Sequence, residues 1–369
     1  MRNKLLLAIF LILLFLIPVI ALFCPGLPVT HDGSDHVARI ANFYKNLQEG
    51  IWIPRWGGNL NWGYGHAVIE FLYPLPSYLA SLVHFFGASF VDSFKIVLGL
   101  GLFASGLTMY LWLSTFLPIN ASIIGAMLYV YAPYRFVNVY VRGDIGENLA
   151  FIFIPLILYF LQKFFKTKHI FYGIGIAVSW AGLILAHNAI SLMFLPFIIF
   201  YLLYLEMVQH KQTPSNSPLR LELRANRLSG GGQRYALYAI GYLLLGFGLA
   251  GFFWIPALLE GKFTLRNIVT AGVYAKRFVS FPQLLFGKWN YGQSGEFTLQ
   301  FGLMHWFVLF GAMYYFLKTK ISETTQNIFI AALLLYTAIA IFLMLPISDV
   351  FYRHIMLLQN FQFPWRFLA

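Results

Sequence analysis

Residues 327–346 read NIFIAALLLYTAIAIFLMLP, twenty positions without one charged side chain. A helix needs about 20 apolar residues to cross the hydrocarbon core of a bilayer, so this stretch is long enough to span one. Similar runs recur at 5–23, 93–117, 121–141, 148–164, 170–186, 189–206, 235–257 and 301–317, which makes nine. Composition agrees, with 60% apolar and 10% charged residues over 369 positions. A soluble chain of that size needs more charge to cover its surface, whereas lipid requires none. The pattern predicts an all-α polytopic membrane protein, with a single membrane domain over 1–369.

The net charge of +12 raises the question of nucleic acid. The basic residues sit mostly between apolar runs and form no stripe, which excludes that class. Cys24 is the single cysteine, so no internal disulfide framework exists. The chain begins Met1-Arg2-Asn3-Lys4 and then turns apolar, like a signal peptide. The run is long and no Ala-x-Ala site closes it, so it reads as an anchor.

Orientation follows from Lys and Arg, which are retained in the cytoplasm near helix ends. One run, 71–87, is short and carries Pro74 and Pro76. If it does not cross, Arg2, Lys4, Lys163, Lys166, Lys168, the 207–234 cluster, Lys318 and Lys320 all fall inside. If it crosses, the later clusters fall outside. The non-crossing reading makes 71–87 an interfacial or re-entrant helix on the outer face. The protein is then a multi-pass plasma-membrane protein with a cytoplasmic N-terminus. Segment 207–234, with Pro214, Pro218 and Gly230-Gly231-Gly232, becomes a flexible basic cytoplasmic linker.

Ten of the 13 acids then lie outside, in the loops 24–92, 258–300 and 347–369 and in the turn 142–147. The spans carry no acid or base near their middles; Arg135 and His305 lie toward outer ends. Ion-coupled transporters place ionisable groups at midplane depth, so a secondary transporter is disfavoured. The first outer loop reads Thr30-His31-Asp32-Gly33-Ser34-Asp35-His36 and continues to Gln48. Val37, Ile40, Tyr44 and Leu47 recur at helical spacing, which predicts an amphipathic helix on the membrane that Gly50 ends. Asp32 and Asp35, three apart at the helix start, would both point into one pocket, as metal ligands or as a general base. The plainer alternative is a helix cap, especially for Asp35. Arg142-Gly143-Asp144-Ile145-Gly146-Glu147 forms a second acidic site. Its acids also suit a helix N-terminus, and Arg142 would bind phosphate or mark the interface.

The order of these elements resembles the GT-C superfamily of membrane glycosyltransferases. A first span leads to an acidic loop, an amphipathic helix, the segment Tyr73-Pro74-Leu75-Pro76-Ser77-Tyr78, two spans, and Arg-Gly with acids outside. A narrower resemblance is to the membrane-protein family called 6-pyruvoyl-tetrahydropterin synthase-related. It rests on His31-Asp32, Pro54-Arg55-Trp56, Gly63-Tyr64-Gly65, Ala132-Pro133-Tyr134-Arg135, Tyr140-Val141-Arg142-Gly143 with Glu147, Ala186-His187-Asn188, Trp254-Ile255-Pro256-Ala257 with Glu260, and Gln362-Phe363-Pro364-Trp365-Arg366-Phe367. That name implies no activity, because a true pterin synthase is a small soluble enzyme with a three-histidine zinc site. The GT-C resemblance implies a multi-helix bundle that takes sugars from polyprenyl-phosphate carriers on the non-cytoplasmic face. It gives Asp32 the role of base or metal ligand, with Asp35 second. Asp32, Asp144 and Glu147 become candidate ligands for a divalent metal, Mg or Mn. The spacing Asp-x-x-Asp departs from the superfamily's adjacent-acid or Asp-x-Asp pattern. The family pattern also continues into another span, which implies further helices beyond Ala369.

Other outer residues are candidate substrate contacts. Lys262, Arg266, Lys276, Arg277 and Lys288 make 258–300 basic, which suits a carrier phosphate, although a loop this long tolerates such charge. Trp289, Tyr291 and Gly292-Gln293 suit either a sugar ring or an interfacial belt. His66, His187 and Arg366 complete the set, and His31 and His36 rank as support around Asp32. The leading expectation is therefore transfer of a sugar from a polyprenyl-phosphate carrier to an unidentified acceptor. The alternative is a non-catalytic protein of the same fold that binds or moves lipid-linked glycans.

Overall fold

The computed structural model describes residues 2–212, 234–265, 272–289, 297–318 and 325–369. Among these residues the regular elements are all helices, and the one β feature is an isolated antiparallel bridge between Gly57 and His66. Much of the 207–234 linker, Arg266, residues 291–293 and Lys320 lie outside the described residues.

Helix α1 (Arg2–Leu16) tightens into a 3₁₀ segment, Ile17–Phe23, where Pro18 removes an amide donor. Helix α2 (Gly33–Gln48) is the amphipathic helix expected. Its buried stripe is His36, Ile40 and Phe43, and it stops at Gly50 with φ of 83°. A short α3 (Val68–Phe71) precedes α4 (Leu75–Phe85). With 11 residues, α4 reaches only about 16 Å and cannot cross a bilayer. It packs against α2 and the next helix, α5 (Phe90–Leu113).

The expected span 121–141 is broken. Helix α6 (Ile119–Val130) stops before Pro133, which opens α7 (Pro133–Val137), and a π-helical turn over Asn138–Arg142 follows. Proline restrains its predecessor to extended backbone, so the helix ends there. After α8 (Ile145–Thr167) come α9 (Ile170–Ala186), α10 (Asn188–Gln212), α11 (Arg234–Leu249) and α12 (Gly251–Glu260). The chain bends by 63° between the last two, within the run expected as one span. Helix α13 (Phe281–Leu285), α14 (Leu303–Lys318), α15 (Thr325–Met344), α16 (Asp349–His354) and α17 (Met356–Gln359) complete the order, with a 3₁₀ turn at Pro364–Leu368.

Among the described residues, α5, α8, α10 and α15 can each cross a membrane by length and composition, and the bent pair α11–α12 is a fifth candidate. Three further apolar helices are shorter: Ile9–Phe23, Ile119–Val130 and Ile170–Ala186. Helix α8 starts at the Asp144 cap and ends beside Lys163, Lys166 and Lys168. Helix α10 starts after His187 and runs toward the basic linker. The candidate carboxylates and the Lys-rich ends therefore lie at opposite ends of the same helices. Arg135 is buried in the bundle, where its Nη2 donates to Ser105 Oγ at 2.7 Å and its guanidinium lies 3.9 Å from the Phe151 ring centroid.

Candidate functional site

Gly143 adopts the left-handed conformation (φ 67°) and ends the π-helical turn. A side chain there would collide with Thr30, so glycine is required twice over. Asp144 then caps α8, and its Oδ1 accepts the Glu147 backbone N–H at 2.9 Å. The cap sets Glu147 one turn into α8, against the turn that carries Arg142.

Arg142 spans both carboxylates. Its Nη2 donates to Asp144 Oδ2 at 2.7 Å and its Nη1 to Glu147 Oε2 at 2.8 Å. Glu147 Oε1 accepts from the Tyr134 hydroxyl and, at 3.1 Å, from the Asn138 amide. Asp144 Oδ1 also accepts from the Tyr73 hydroxyl at 3.2 Å. Every oxygen of the two acids is thus engaged. The Trp365 ring centroid lies 4.8 Å from the Arg142 guanidinium, and Arg366 Nε lies 3.7 Å from Glu147 Oε2. Burial alone would raise the Asp144 pKa. The adjoining Arg142 charge, with His187, His36 and Arg366, outweighs burial and holds it well below the usual carboxylate range.

The first loop is fastened to this cluster through its backbone. His31 N–H donates to Val141 C=O at 2.9 Å and Asp32 N–H to Arg142 C=O at 2.8 Å. Positions 32 and 144 thus share one end of the bundle. Asp32 occupies the N-cap position of α2 but makes no capping hydrogen bond, and it lines a cavity instead. Burial and the neighbouring Asp144 charge raise its pKa, against the pull of Arg142. Asp35 does not join it. Its exposed carboxylate pairs with Arg39 at 3.6 Å, one turn along α2, and does not line the cavity. Asp32 precedes the first helical turn, so spacing of three does not set the two acids on one face. Asp35, already inside the helix, lies on the side away from His36 and Ile40.

The cavity holds about 2210 Å³ and has two kinds of wall. Around the cluster it is polar, with Asp32, Arg142, His187, Arg277 and Arg366. His66, Lys276 and Lys288 line it from exposed positions. Away from the cluster it is apolar, between α9 (Trp180, Ile184), α10 (Leu195, Ile199) and α11 (Leu244, Phe247). Its α10 wall runs from Ala189 to Leu203, about 21 Å at 1.5 Å per residue. Arg277 and Arg366 stack on the same Phe363 ring, 4.1 and 4.8 Å from its centroid. Burial and the Arg366 charge both lower the Arg277 pKa. Trp289 does not line this cavity.

His187 joins α9 to α10. Its Nδ1 accepts the Ile190 N–H at 3.2 Å and its ring lies 4.8 Å from Tyr73. His36 is buried beside Phe94. Burial pushes both histidines down to about 4, so they are neutral at pH 7.

A metal would have to share carboxylate oxygens that are already hydrogen-bonded within this cluster. Asp144, Glu147 and His187 do present ligand atoms within 4.8 Å of one another, and among the described residues no three histidines form such a group. Yet each of the four carboxylate oxygens already accepts from Arg142, Tyr134, Asn138, Tyr73 or a backbone amide, and Arg142 bridges the two acids. The ligand set Asp32, Asp144 and Glu147 therefore does not fit a divalent ion in this arrangement. Arg142 lines the cavity, while its guanidinium hydrogen-bonds the protein's own acids. Tyr73, Tyr134, Asn138 and Trp365 are cluster members that carry no charge pattern to mark them. Tyr134 and Trp365 do fall within motifs that carry the family resemblance.

The family model for the 6-pyruvoyl-tetrahydropterin synthase related domain, described as a membrane protein, matches residues 69–361. The chain belongs to that family. It is also similar to a protein of Lactococcus lactis subsp. cremoris (strain MG1363) named "Uncharacterized protein", with 29% identity over 204 residues. The match covers 53% of this chain and 33% of that one, so the chain spans about a third of the relative's length. The matched family region contains Tyr73, Arg142, Asp144, Glu147, His187 and Arg277, whereas Asp32 and Arg366 lie outside it.

Proposed function

We propose that the protein transfers a sugar from a polyprenyl-phosphate carrier to an acceptor hydroxyl at the non-cytoplasmic membrane face, in a GT-C-like bundle of nine crossings. The observation that carries this reading is the cavity's two-part wall. An apolar wall about 21 Å long suits a prenyl chain, and the same cavity is lined by Arg277, Arg366 and Asp32. Asp32 accepts the proton of the acceptor hydroxyl. The acceptor oxygen attacks the anomeric carbon, and the sugar–phosphate C–O bond breaks with its electron pair going to the phosphate. Arg277 and Arg366 steady that charge, aided by Lys276 and Lys288. Direct displacement inverts the anomeric centre, since among the described residues no side-chain nucleophile stands ready for a covalent intermediate.

The test is Asp32→Asn in cells, with expression matched to wild type and envelope glycans read by mass spectrometry. The glycoform made by the wild type should vanish, and an unchanged glycan profile would refute catalysis by Asp32. A second reading, a binder or carrier of lipid-linked glycans, is favoured by the commitment of Asp144 and Glu147 to Arg142. It predicts that Asp32→Asn is silent while Arg277→Ala together with Arg366→Ala is not.

A further inference from the structure

We infer that Arg142 stands in the place of a divalent cation, so that the acidic centre of this protein needs no metal. The inference concerns the cluster alone and holds whether or not the cavity binds a glycolipid.

Three observations carry it. The first is that each of the four carboxylate oxygens already accepts a hydrogen bond. Glu147 Oε1 receives Tyr134 and Asn138, and Oε2 receives Arg142; Asp144 Oδ1 receives Tyr73 and the Glu147 amide, and Oδ2 receives Arg142. The second is charge balance. Two carboxylates face two guanidiniums, Arg142 by hydrogen bonds and Arg366 at 3.7 Å, so a divalent ion would leave an excess of two positive charges. The third is that the Arg142 side chain is held in place. Its side chain is 6% exposed, is covered by Trp365, and donates as well to the Asn138 side-chain Oδ1 and, at 3.3 Å, to the Tyr134 hydroxyl. A planar fork that bridges two carboxylates does geometrically what a bridging cation does. A guanidinium is also more weakly hydrated than a divalent ion, which gives up its water reluctantly.

The guanidinium is tied to the cavity as well. The Arg142 carbonyl accepts from the Asp32 amide, so the cation that joins Asp144 to Glu147 belongs to the residue that positions the first loop. Arg142 is thus a positioning residue for Asp32 through its main chain, while its side chain neutralises the acids behind it.

Mn²⁺ is the probe, because free Mn²⁺ gives a strong electron paramagnetic resonance signal that is lost on binding. The purified full chain in detergent, titrated with Mn²⁺, should show no saturable site tighter than about 1 mM, the weak end of built divalent sites. The Arg142→Met variant frees the carboxylates of Asp144 and Glu147 beside His187. It should gain one Mn²⁺ per chain, and Glu147→Gln on that background should remove it. One Mn²⁺ per native chain, lost on Glu147→Gln, overturns the inference. So does a folded Arg142→Met variant that still takes up no Mn²⁺, since the guanidinium would then not be what excludes the ion. If Arg142→Met fails to fold, the native titration with Glu147→Gln as its control decides alone.

Discussion

Removing the Arg142 guanidinium should be among the most destabilising single changes in this protein. In Arg142→Met the carboxylates of Asp144 and Glu147 remain 3% and 0% exposed and lose their shared counter-charge. Breaking a buried ion pair from one side costs about 3–5 kcal/mol, because the abandoned charge stays out of water. The lost contact with Trp365 adds about 1 kcal/mol, giving about 4–6 kcal/mol in all. The triple variant Arg142→Met, Asp144→Asn, Glu147→Gln removes the stranded charges and keeps acceptors for Tyr73, Tyr134 and the α8 amide. It should lose only about 2 kcal/mol, since neutral replacement of a buried ion network is often tolerated. The assay is reversible unfolding in mixed micelles with rising sodium dodecyl sulfate, followed by tryptophan fluorescence. A single variant within about 1 kcal/mol of wild type would mean that the network is not a net source of structure. A triple variant as unstable as the single one would mean that the guanidinium's packing, and not its charge, is what matters.

Three further outcomes are expected. His36 and His187 have folded-state pKa values near 4, below their ordinary 6.5, so the unfolded chain binds more protons between those values. Stability contributed by the neutral rings is present above pH 6.5 and lost as pH falls toward 4; an unfolding midpoint that ignores this window, or that responds equally in His36→Gln with His187→Gln, refutes it. Gly143→Ala forces a side chain into a left-handed residue against Thr30, costing on the order of 1–3 kcal/mol, and should displace Asp32 with the first loop; a variant with wild-type unfolding would show that the two loops are not braced there. The pKa of Asp32 is raised, so the acidic limb of any transfer activity should lie above the range of an ordinary aspartate, with activity rising as the carboxylate ionises. Protonation of Asp32 also favours the folded state, so that part of stability falls as pH rises through its folded pKa, and a pH profile with a limb near 3.8 would count against its role.

Much of the molecule is legible in local sequence. Apolar runs specify membrane helices because a helix satisfies its own backbone in lipid, and this needs no partner. Period and punctuation specify α2 and its stop at Gly50, and the acids at 144 and 147 mark the start of α8. The length of the runs does not specify continuity. Pro133 divides 121–141, and the segment around Ala250 bends 235–257, because breaks in a helix depend on what neighbouring helices can satisfy.

Which residues chemistry can use was decided only by the tertiary structure. Asp32 and Asp35 look alike on paper, yet one faces the cavity and the other pairs with Arg39 in the open, because a cap residue does not follow the helix period. Asp144 and Glu147 read as metal ligands until Arg142, Tyr134, Asn138 and Tyr73 converge on them from three segments. Arg366 reaches the same centre from beyond residue 360. A carboxylate's availability depends on the donors that surround it in space, and sequence distance carries no record of that count. The sequence determined which elements exist and which ends carry charge; the packing of those ends decided that the charges satisfy one another and leave Asp32 to face the cavity.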